Sequence, residues 1–540
     1  MTADKIFYNG NIITVDAAFS IAEAVAVKDG KILAVGSNRA CEAYKGPQTE
    51  MVDLAGKTMM PGIIDAHGHV GMVIKFANWA DLKSPNFYVP TVYTIDQIVE
   101  ILKKHKEDNH LDGDQFVLGF GYHESRLAER RFLTKFDLDR VSDTQPVIVA
   151  NISLHVFTFN SVALKMLGVD ENTPDPETST IFRVEGTQEP NGVVQGPLAQ
   201  ELIFNLDIDT METKLAAFDK AQKLYFSTGI TTAQEGKSTP TDMEIFDMAV
   251  KAGKTSLDIV SYADYHNIDE SLEKYGFSVG EERSHIKVCG MKIISDGTLS
   301  SGAYLTRPFE GTTDNYGIEY CTREQMEGAI RKAVRNGWQF AVHAMGDAAI
   351  DKLMDVYEQI LKEENADPND FRNIIIHGSA MRLDQIARVK KLHMVASYYP
   401  SAGASLYELF CMTIGPDRAA MTNPMRSAMD QGIVVTMHND APIIGPDPFI
   451  PLWTAVNRIS IKGGTLFGAD QRISVREGIR ALTINGAYQS FDEDRKGSIE
   501  PGKLADLIIL NLDPLAIDPI DLKDIRVLET IKDGVTVYTA

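Results

Sequence analysis

The sequence predicts an α/β protein centred on a TIM-like (β/α)8 barrel, with a small β-sandwich domain built from both chain ends and a large insertion after the first barrel strand. Three observations favour this fold. Both ends of the 540-residue chain are rich in short strand-like runs, eight short apolar runs alternate with helical patterns between them, and one gap between two such runs is far too long for a loop.

Hairpin patterns occupy both ends of the chain. Asn-Gly and Asp-Gly pairs interrupt or separate the β-rich runs there, and these pairs favour tight hairpin turns. The runs are residues 5–15 and 23–35 near the start, and 505–510, 527–532 and 535–538 near the end. The simplest arrangement joins both ends in one β-sandwich, formed by residues 1–60 and 484–540.

Between the ends, the alternation of apolar runs with helical patterns predicts βα units and a parallel sheet. Residues 324–336 and 348–363 have apolar residues at three- and four-residue spacing, which indicates helices. We assign residues 61–74 to the first barrel strand and residues 211–483 to the remainder of the barrel. The eight predicted strands are residues 62–66, 230–234, 257–261, 291–295, 339–342, 373–376, 394–397 and 434–437.

The gap between the first two of these strands predicts an insertion. A single βα connection is short, so residues 75–210 must contain elements of their own. Two strand-like runs, residues 115–120 and 146–151, lie within this gap. We therefore expect a separate insertion domain.

Charge and cysteine content narrow the classes of partner. A net charge of -22 and a pI near 5.0 argue against nucleic acids and anionic membranes as binding partners, because the negative charge of both would repel the protein. The four cysteines lie far apart without CxxC spacing. No apolar run approaches the roughly 18 residues that span a bilayer. We expect a cytoplasmic protein that acts on a small-molecule substrate and binds neither nucleic acid nor membrane. A homo-oligomer is expected, with a dimer favoured.

The strongest functional signal is the segment PGIIDAHGH, residues 61–69. Residues two apart on a strand point to the same side, so His67 and His69 project together at the carboxyl end of the first predicted strand. The carboxyl ends of the strands form the catalytic face of such a barrel. Two convergent imidazoles are a natural ligand pair for a divalent transition metal.

Three further polar residues follow later predicted strands. His343 ends one apolar run, His377 ends the next, and Asp440 follows the eighth run within the segment HNDAP. Each of them alone is more often a core or loop residue than a ligand. Together with the histidine pair, at the same face of one barrel, they predict a metal site at the barrel mouth.

These segments resemble the amidohydrolase superfamily: PGIIDAHGH comes first, then the two strands that end in a single histidine, then NDAP. Other segments are similar to its family 3, the N-substituted formamide deformylase-like or YtcJ-like proteins. They are SLHVFTFNSVAL in the insertion, GMKIISDGTLSSG, VHAMGDAAI and GSIEPGKLADLIIL near the end. The resemblance runs through essentially the whole chain.

The resemblance implies a ligand set. His67 and His69 match positions that hold one divalent metal ion, and His343 and His377 match positions that hold another. Asp440 matches a residue that binds metal and acts as the acid/base. Zinc is the expected metal, and the ligand set allows one ion or two.

Lys292, in the fourth predicted strand, matches the position of a carboxylated lysine that bridges two metals in some superfamily members. A buried lysine can lose its proton and take up carbon dioxide, which makes it an anionic ligand. Two alternatives stay open for Lys292: an ordinary ion pair with Asp296, or contact with the substrate.

The resemblance also implies the reaction: a metal-dependent hydrolase that uses metal-activated water to cleave a non-peptide, amide-type carbon-nitrogen bond of a small molecule. Deamination and hydrolysis of a cyclic amide or an ester remain alternatives, because the superfamily fold hosts all of them. A barrel that has lost catalysis and acts as a binding or regulatory scaffold is an alternative of another class. The retained ligands argue against that alternative.

Five residues outside the ligand set are predicted to contact the substrate: Tyr122, His155, Asn160, Arg307 and Tyr399. His155 and Asn160 lie in SLHVFTFNS, which resembles a family segment that folds over the site. The other three follow strands or lie in loops. For each of the five, a structural role is the competing interpretation.

The chain departs from the family pattern at two places. Ile376 stands where an acidic residue usually precedes the histidine of the sixth strand, and Val193 and Val194 stand where one usually follows the Asn-Gly pair at Asn191. Outer acidic residues orient metal-bound imidazoles. The resemblance therefore fixes neither the ligand geometry nor the substrate.

Overall fold

The computed structural model of the chain describes residues 1–82, 92–176, 179–204, 206 and 210–540. The chain divides into two compact units: Met1–Gly71 together with Asp219–Ala540, and Met72–Phe218. The second unit contains the predicted insertion, 75–210, and extends beyond it at both ends. The terminal sheets and the barrel lie together in the first unit. The boundaries at 60 and 484 stay predictions.

The strands are, in chain order, β1 Lys5–Tyr8, β2 Asn11–Ile13, β3 Ile21–Ala22, β4 Ala24–Lys28, β5 Lys31–Gly36, β6 Glu50–Asp53, β7 Thr58–Pro61, β8 Ile63–Ile64, β9 Ala80–Asp81, β10 Val117–Tyr122, β11 Val147–Asn151, β12 Val156–Phe159, β13 Thr180–Arg183, β14 Pro190–Gln195, β15 Ile230–Ser238, β16 Asp258–Asp264, β17 Glu282–Arg283, β18 Ile286–Ile294, β19 Gln339–Ala344, β20 Ile374–His377, β21 Val395–Tyr398, β22 Val435–Met437, β23 Leu507–Leu510, β24 Val527–Lys532 and β25 Val535–Thr539.

The α-helices are α1 Asn38–Glu42, α2 Val70–Phe76, α3 Ile95–Asp108, α4 Lys135–Leu138, α5 Ser161–Leu167, α6 Pro197–Phe204, α7 Met211–Ser227, α8 Pro240–Lys251, α9 Ile268–Tyr275, α10 Arg323–Asn336, α11 Asp347–Glu364, α12 Leu383–Lys391, α13 Pro400–Ser405, α14 Tyr407–Ile414, α15 Pro416–Ala420, α16 Met425–Asp430, α17 Phe449–Asn457, α18 Val475–Ala481 and α19 Ile484–Gln489.

Two small sheets are built from the chain ends. One has the order β5-β4-β1-β6, and the other has the order β25-β24-β23-β7-β2-β3, so it combines strands from both ends. Within it, β7 pairs antiparallel with β23. Buried apolar residues from both ends, among them Phe7, Val25, Leu507 and Ile531, form one core. The prediction that the two ends build a common β-structure is confirmed.

The barrel strands run in the order β22-β21-β20-β19-β18-β16-β15-β8, and neighbouring strands are parallel. Each contains or overlaps one of the eight predicted runs. The largest difference is in β18, which begins at Ile286 rather than at 291, because Lys287 and Gly290 interrupt the apolar pattern of its first half. Beyond the ends of β8 and β22, the backbone N–H of His69 donates to the carbonyl of Ala441 at 2.7 Å.

The insertion unit has its own sheet, in the order β13-β14-β12-β11-β10-β9. The predicted runs at 115–120 and 146–151 are β10 and β11 in this sheet. Their side chains alternate between two apolar clusters, since Val117 and Val147 belong to one and Phe120 and Ile148 to the other. The unit therefore has a core of its own.

Helix α10 shows how local sequence fixes an element. Thr322 accepts from the backbone of Gln325 and forms a capping box at the start, and Gly337 ends the helix with φ +67°. In the part of the chain that the structure describes, no helix combines the length and apolarity needed to cross a bilayer. The four cysteines are free thiols.

Candidate metal centre

His67 lies just beyond β8 with its ring fixed by a neighbouring strand. Its Nδ1 is 2.8 Å from Oε1 of Gln234 in β15. An amide oxygen only accepts hydrogen bonds, so Nδ1 carries the proton and Nε2 keeps its lone pair. That Nε2 lies 3.6 Å from Oδ1 of Asp440 and 3.2 Å from Nζ of Lys292. The free nitrogen therefore faces two other predicted ligands.

His69 faces the same carboxylate. Its Nε2 is 3.4 Å from Oδ1 of Asp440, and its Nδ1 is 3.5 Å from Oε1 of Glu235. The ligand atoms of His67, His69 and Asp440 all lie within 4.8 Å of one another. Two atoms bound to one tetrahedral zinc ion are about 3.4 Å apart. These three side chains are therefore already spaced as ligands of one ion.

The loop after β22 holds Asp440 in a costly conformation. Its φ is +57°, which side chains other than glycine rarely adopt. Asn439 anchors the loop, since Ser401 Oγ donates to its Oδ1 at 2.7 Å and its Nδ2 donates to the carbonyl of Asp447 at 2.6 Å. Oδ1 of Asp440 is buried and has no hydrogen-bond partner among the described residues. Burial also raises the pKa of Asp440.

Lys292 is buried in β18, with 2% of its surface exposed. Burial lowers its pKa to about 7, so a large fraction is unprotonated at neutral pH. Asp296 is engaged elsewhere: its carboxylate accepts the backbone N–H groups of Tyr304, Met345 and Gly346. The ion pair of Lys292 with Asp296 is therefore not the arrangement that the structure shows.

His343 and His377 form a second imidazole pair, with ring centroids 4.5 Å apart. Burial lowers the pKa of both, in His343 to about 3, so both rings are neutral and able to bind a metal. His377 has φ +71°, and its Nδ1 is buried without a hydrogen-bond partner in the described chain. Nε2 of His343 lies 3.7 Å from Oδ1 of Asp296.

Sequence reasoning missed three residues of this centre: Gln234, Glu235 and His438. Gln234 and Glu235 lie within β15; Gln234 contacts His67 and Glu235 contacts His69, which orients the two rings. Gln234 ends the predicted second strand and Glu235 follows it, so their place at the catalytic face was an available signal. His438 sits two residues before Asp440, with its ring centroid 5.1 Å from that of His67.

The predicted substrate residues of the first unit differ in their surroundings. Tyr399 is buried beside the centre, with its ring 5.7 Å from that of His377 and stacked on His438 at 5.1 Å. Arg307 is exposed, and its carbonyl accepts a hydrogen bond from Arg418. Contact with substrate stays a prediction for both.

The other three lie in the insertion unit. Tyr122 is buried in its apolar core, and His155 is exposed. Asn160 caps α5: its Oδ1 accepts from the backbone of Val147 and Ala163, and its Nδ2 donates to two carbonyls. All four side-chain hydrogen bonds of Asn160 are thus made within the unit, which favours the structural role. Contact with substrate stays a prediction for these three residues.

The donor set fits a divalent transition metal. It combines neutral buried imidazoles, a carboxylate oxygen without a partner and an amine of lowered pKa. Each of these groups is costly to bury unsatisfied, and a bound cation would satisfy them together.

The model of the amidohydrolase family matches residues 50–538 of the chain. The chain belongs to the amidohydrolase family. It is 29% identical to N-substituted formamide deformylase of Arthrobacter pascens, over 99% of this chain and 98% of that protein. It is 28% identical to the putative amidohydrolase YtcJ of Bacillus subtilis (strain 168), over 99% of each chain. This family member is thus a hydrolase, and a divalent metal is its expected cofactor.

Solved structures support the fold of this amidohydrolase. An uncharacterized metal-dependent hydrolase from Pyrococcus horikoshii OT3 superposes with a TM-score of 0.77 at 24% identity, over 95% of this chain and 99% of that one. Its counterpart from Pyrococcus furiosus gives a TM-score of 0.75 at the same identity and coverage. The predicted barrel with additional domains is confirmed.

Proposed function

We propose that this amidohydrolase cleaves an amide-type, non-peptide carbon-nitrogen bond of a small molecule. The observation that carries the proposal is the convergence of His67, His69 and Asp440, with Lys292 within hydrogen-bond distance of His67. The full-length similarity to N-substituted formamide deformylase favours N-substituted formamides as the first substrates to test.

The residues of the centre have distinct proposed roles in metal binding and proton transfer. His67, His69 and Asp440 would hold one divalent ion, and His343 and His377 would hold a second. An ion held by these residues would supply Lewis-acid chemistry and would make water easier to deprotonate. Asp440 then accepts the proton of the attacking water and delivers it to the leaving nitrogen.

Zinc and a carboxylated Lys292 are the finer parts of the proposal. Neutral imidazoles with a carboxylate are a common zinc ligand set. A lysine with a pKa of about 7 presents the unprotonated amine that reaction with carbon dioxide requires. The carbamate would add a negative charge between the two imidazole pairs and would favour two ions over one.

Metal removal tests this function. Protein treated with a chelator should hydrolyse no N-substituted formamide, and added Zn²⁺ should restore hydrolysis, measured as formate release. A panel that includes aminated heterocycles, cyclic amides and esters distinguishes the proposed reaction from the alternatives. Full activity in metal-free protein would contradict the proposal.

Elemental analysis separates an enzyme from a non-catalytic scaffold. Freshly purified protein should contain one or two equivalents of metal per chain, because the ligand set is complete. Protein that binds no metal even after incubation with Zn²⁺ would favour the scaffold.

Assembly and location complete the proposal. We infer a cytoplasmic location, because the acidic charge favours solubility and the four free thiols suit a reducing compartment. We also propose that the protein is a homodimer. Sedimentation velocity of the purified protein measures the assembly. A monomer at micromolar concentration would contradict the dimer.

A further inference from the structure

His438 is an imidazole of the metal centre that the ligand assignment leaves without a role. It follows β22 directly and has 1% of its surface exposed. Its ring centroid lies 5.1 Å from that of His67 and 5.0 Å from that of His377. Its ring therefore contacts two predicted ligands from two other strands of the barrel.

Neither ring nitrogen of His438 has a hydrogen-bond partner among the described residues. A neutral imidazole has one N–H donor and one acceptor lone pair, and leaving both unsatisfied in a buried place is unfavourable. The backbone carbonyl of Ser397 approaches the ring but lies outside hydrogen-bonding geometry. A small shift would let one nitrogen donate to it, which is how metal-bound imidazoles commonly hold their second nitrogen.

The spacing of the three rings matches that of imidazoles sharing one tetrahedral ion. With Zn–N bonds of about 2.0–2.1 Å, each ring centroid lies about 3.2 Å from the ion, and two centroids are about 5.2 Å apart. The distances between the ring centroids of His67, His377 and His438 are 5.4, 5.1 and 5.0 Å. Because neither nitrogen of His438 has a hydrogen-bond partner among the described residues, turning the ring toward an ion would break no hydrogen bond.

We propose that His438 is a further imidazole ligand of the metal centre, on an ion that it shares with His67 and His377 when the centre holds one ion rather than two. The inference rests on the proposed metal dependence and deepens it. The ion that His438 would bind is a divalent first-row transition metal such as Zn²⁺. In some catalytic zinc sites, three imidazoles are the only protein ligands. Lys292 then need not be carboxylated for the centre to hold an ion.

A substitution that keeps the ring tests the role of the nitrogens. His438→Phe retains an aromatic side chain against Tyr399 and removes both donor atoms. Metal-free protein is titrated with Zn²⁺ against a chromophoric chelator, and bound zinc is counted by elemental analysis. We expect the zinc affinity of His438→Phe to fall by about 10- to 100-fold. Wild-type stoichiometry and affinity in this variant would overturn the inference.

Two further measurements guard against an indirect effect. Tyr399→Phe alters the stacked neighbour without removing an imidazole, so its zinc affinity should stay within about twofold of the wild type. In His438→Ala, added imidazole should restore zinc affinity, since it can occupy the vacated space. Equal losses in His438→Phe and Tyr399→Phe, or no rescue by imidazole, would assign His438 a packing role and overturn the inference.

The wild-type protein offers a test that does not depend on how a variant folds. In crystals with zinc, anomalous scattering should place an ion about 2.0–2.1 Å from a nitrogen of His438. Ions that all lie beyond 3 Å would overturn the inference. Zinc binding that depends on His438, in a protein that hydrolyses no carbon-nitrogen bond, would leave this inference standing and contradict only the proposed function.

Discussion

At the scale of single residues, the centre depends on backbone positions as much as on side-chain types. Asp440 and His377, both predicted ligands, adopt left-handed backbone conformations at the ends of their strands. Each costs about 1–3 kcal/mol for a residue other than glycine. Such strain persists only where the surrounding structure enforces it, and here it directs both side chains into the centre.

Asp440→Asn tests the proton transfer directly. The amide oxygen can still bind a metal ion, but asparagine cannot accept and release the proton of the attacking water. We expect near-normal metal content and a kcat lowered by about 10²–10⁴-fold. Formate release measures kcat, and elemental analysis measures the metal content. Unchanged turnover would remove Asp440 from the proposed mechanism.

Gly236→Ala tests the positioning of His67. A Cβ at position 236 would lie 2.1 Å from Cε1 of the His67 ring, so the ring must move and lose its hydrogen bond to Gln234. We expect zinc affinity to fall by about 10- to 100-fold, as for loss of an outer partner of a metal ligand. Chelator competition measures it. Wild-type affinity would show that the ring adapts without cost.

At the scale of elements, α10 offers the matched control for that glycine substitution. Gly328 lies inside α10, and a Cβ there meets nothing within 4 Å. Gly328→Ala should raise the free energy of unfolding by about 0.5–1 kcal/mol, because alanine is the better helix former. Urea unfolding measures the change, and zinc affinity should stay at the wild-type value. A loss of stability would contradict this account of Gly328.

Elements were predictable from sequence where one physical signal dominated. The eight barrel strands are short apolar runs between helical patterns, and this arrangement leaves few alternatives. The ligand pair His67 and His69 was predictable because strand geometry places residues two apart on one side. Gln234, Glu235 and His438 each lie at or just past the end of a predicted strand, and that position was a signal. The partner that each one faces depends on which strands become neighbours, and spacing along the chain does not contain that information.

Asn160 carries two signals that point to different roles. A resemblance between segments predicts contact with substrate, and its place before the helical run predicts a helix cap, because asparagine before a helix is a standard N-terminal signal. The structure shows the cap at the start of α5. Contact with substrate stays a prediction.

At the scale of the whole molecule, buried charges join the barrel to the terminal sheets. Asp258 at the start of β16 binds Lys496 and lies 3.3 Å from Nζ of Lys532 in β24, which also pairs with Asp506 at 3.1 Å. Lys496→Met would remove one of the positive charges that compensate the buried negative charge of Asp258. We expect a loss of about 3–5 kcal/mol in the free energy of unfolding. Urea unfolding of metal-free protein measures it, and a loss below about 1 kcal/mol would contradict a structural role for this network.

His285 gives the same network a pH dependence. Its Nδ1 is 2.7 Å from Oδ1 of Asp258, and this hydrogen bond raises the pKa of His285 above its ordinary value of about 6.5. Because the pKa of His285 is higher in the folded protein than in the unfolded chain, protonation of His285 stabilises the fold. This stabilisation is complete at a pH below the unfolded-state pKa, and it is lost as the pH rises through the folded-state pKa. His285→Gln should therefore destabilise the metal-free protein more at pH 5.5 than at pH 9. An equal loss at both pH values would contradict this account.

The pairing of β7 with β23 has a consequence for biosynthesis. β7 leads directly into β8, just before His67 and His69, yet β23, the partner on one of its edges, is translated only after all the barrel strands. While the ribosome makes the intervening residues, that edge presents unpaired backbone groups, the kind of surface on which strands of different chains associate. Nascent chains that stall before β23 should be aggregation-prone and dependent on chaperones, whereas translation of β23 supplies the missing partner of β7.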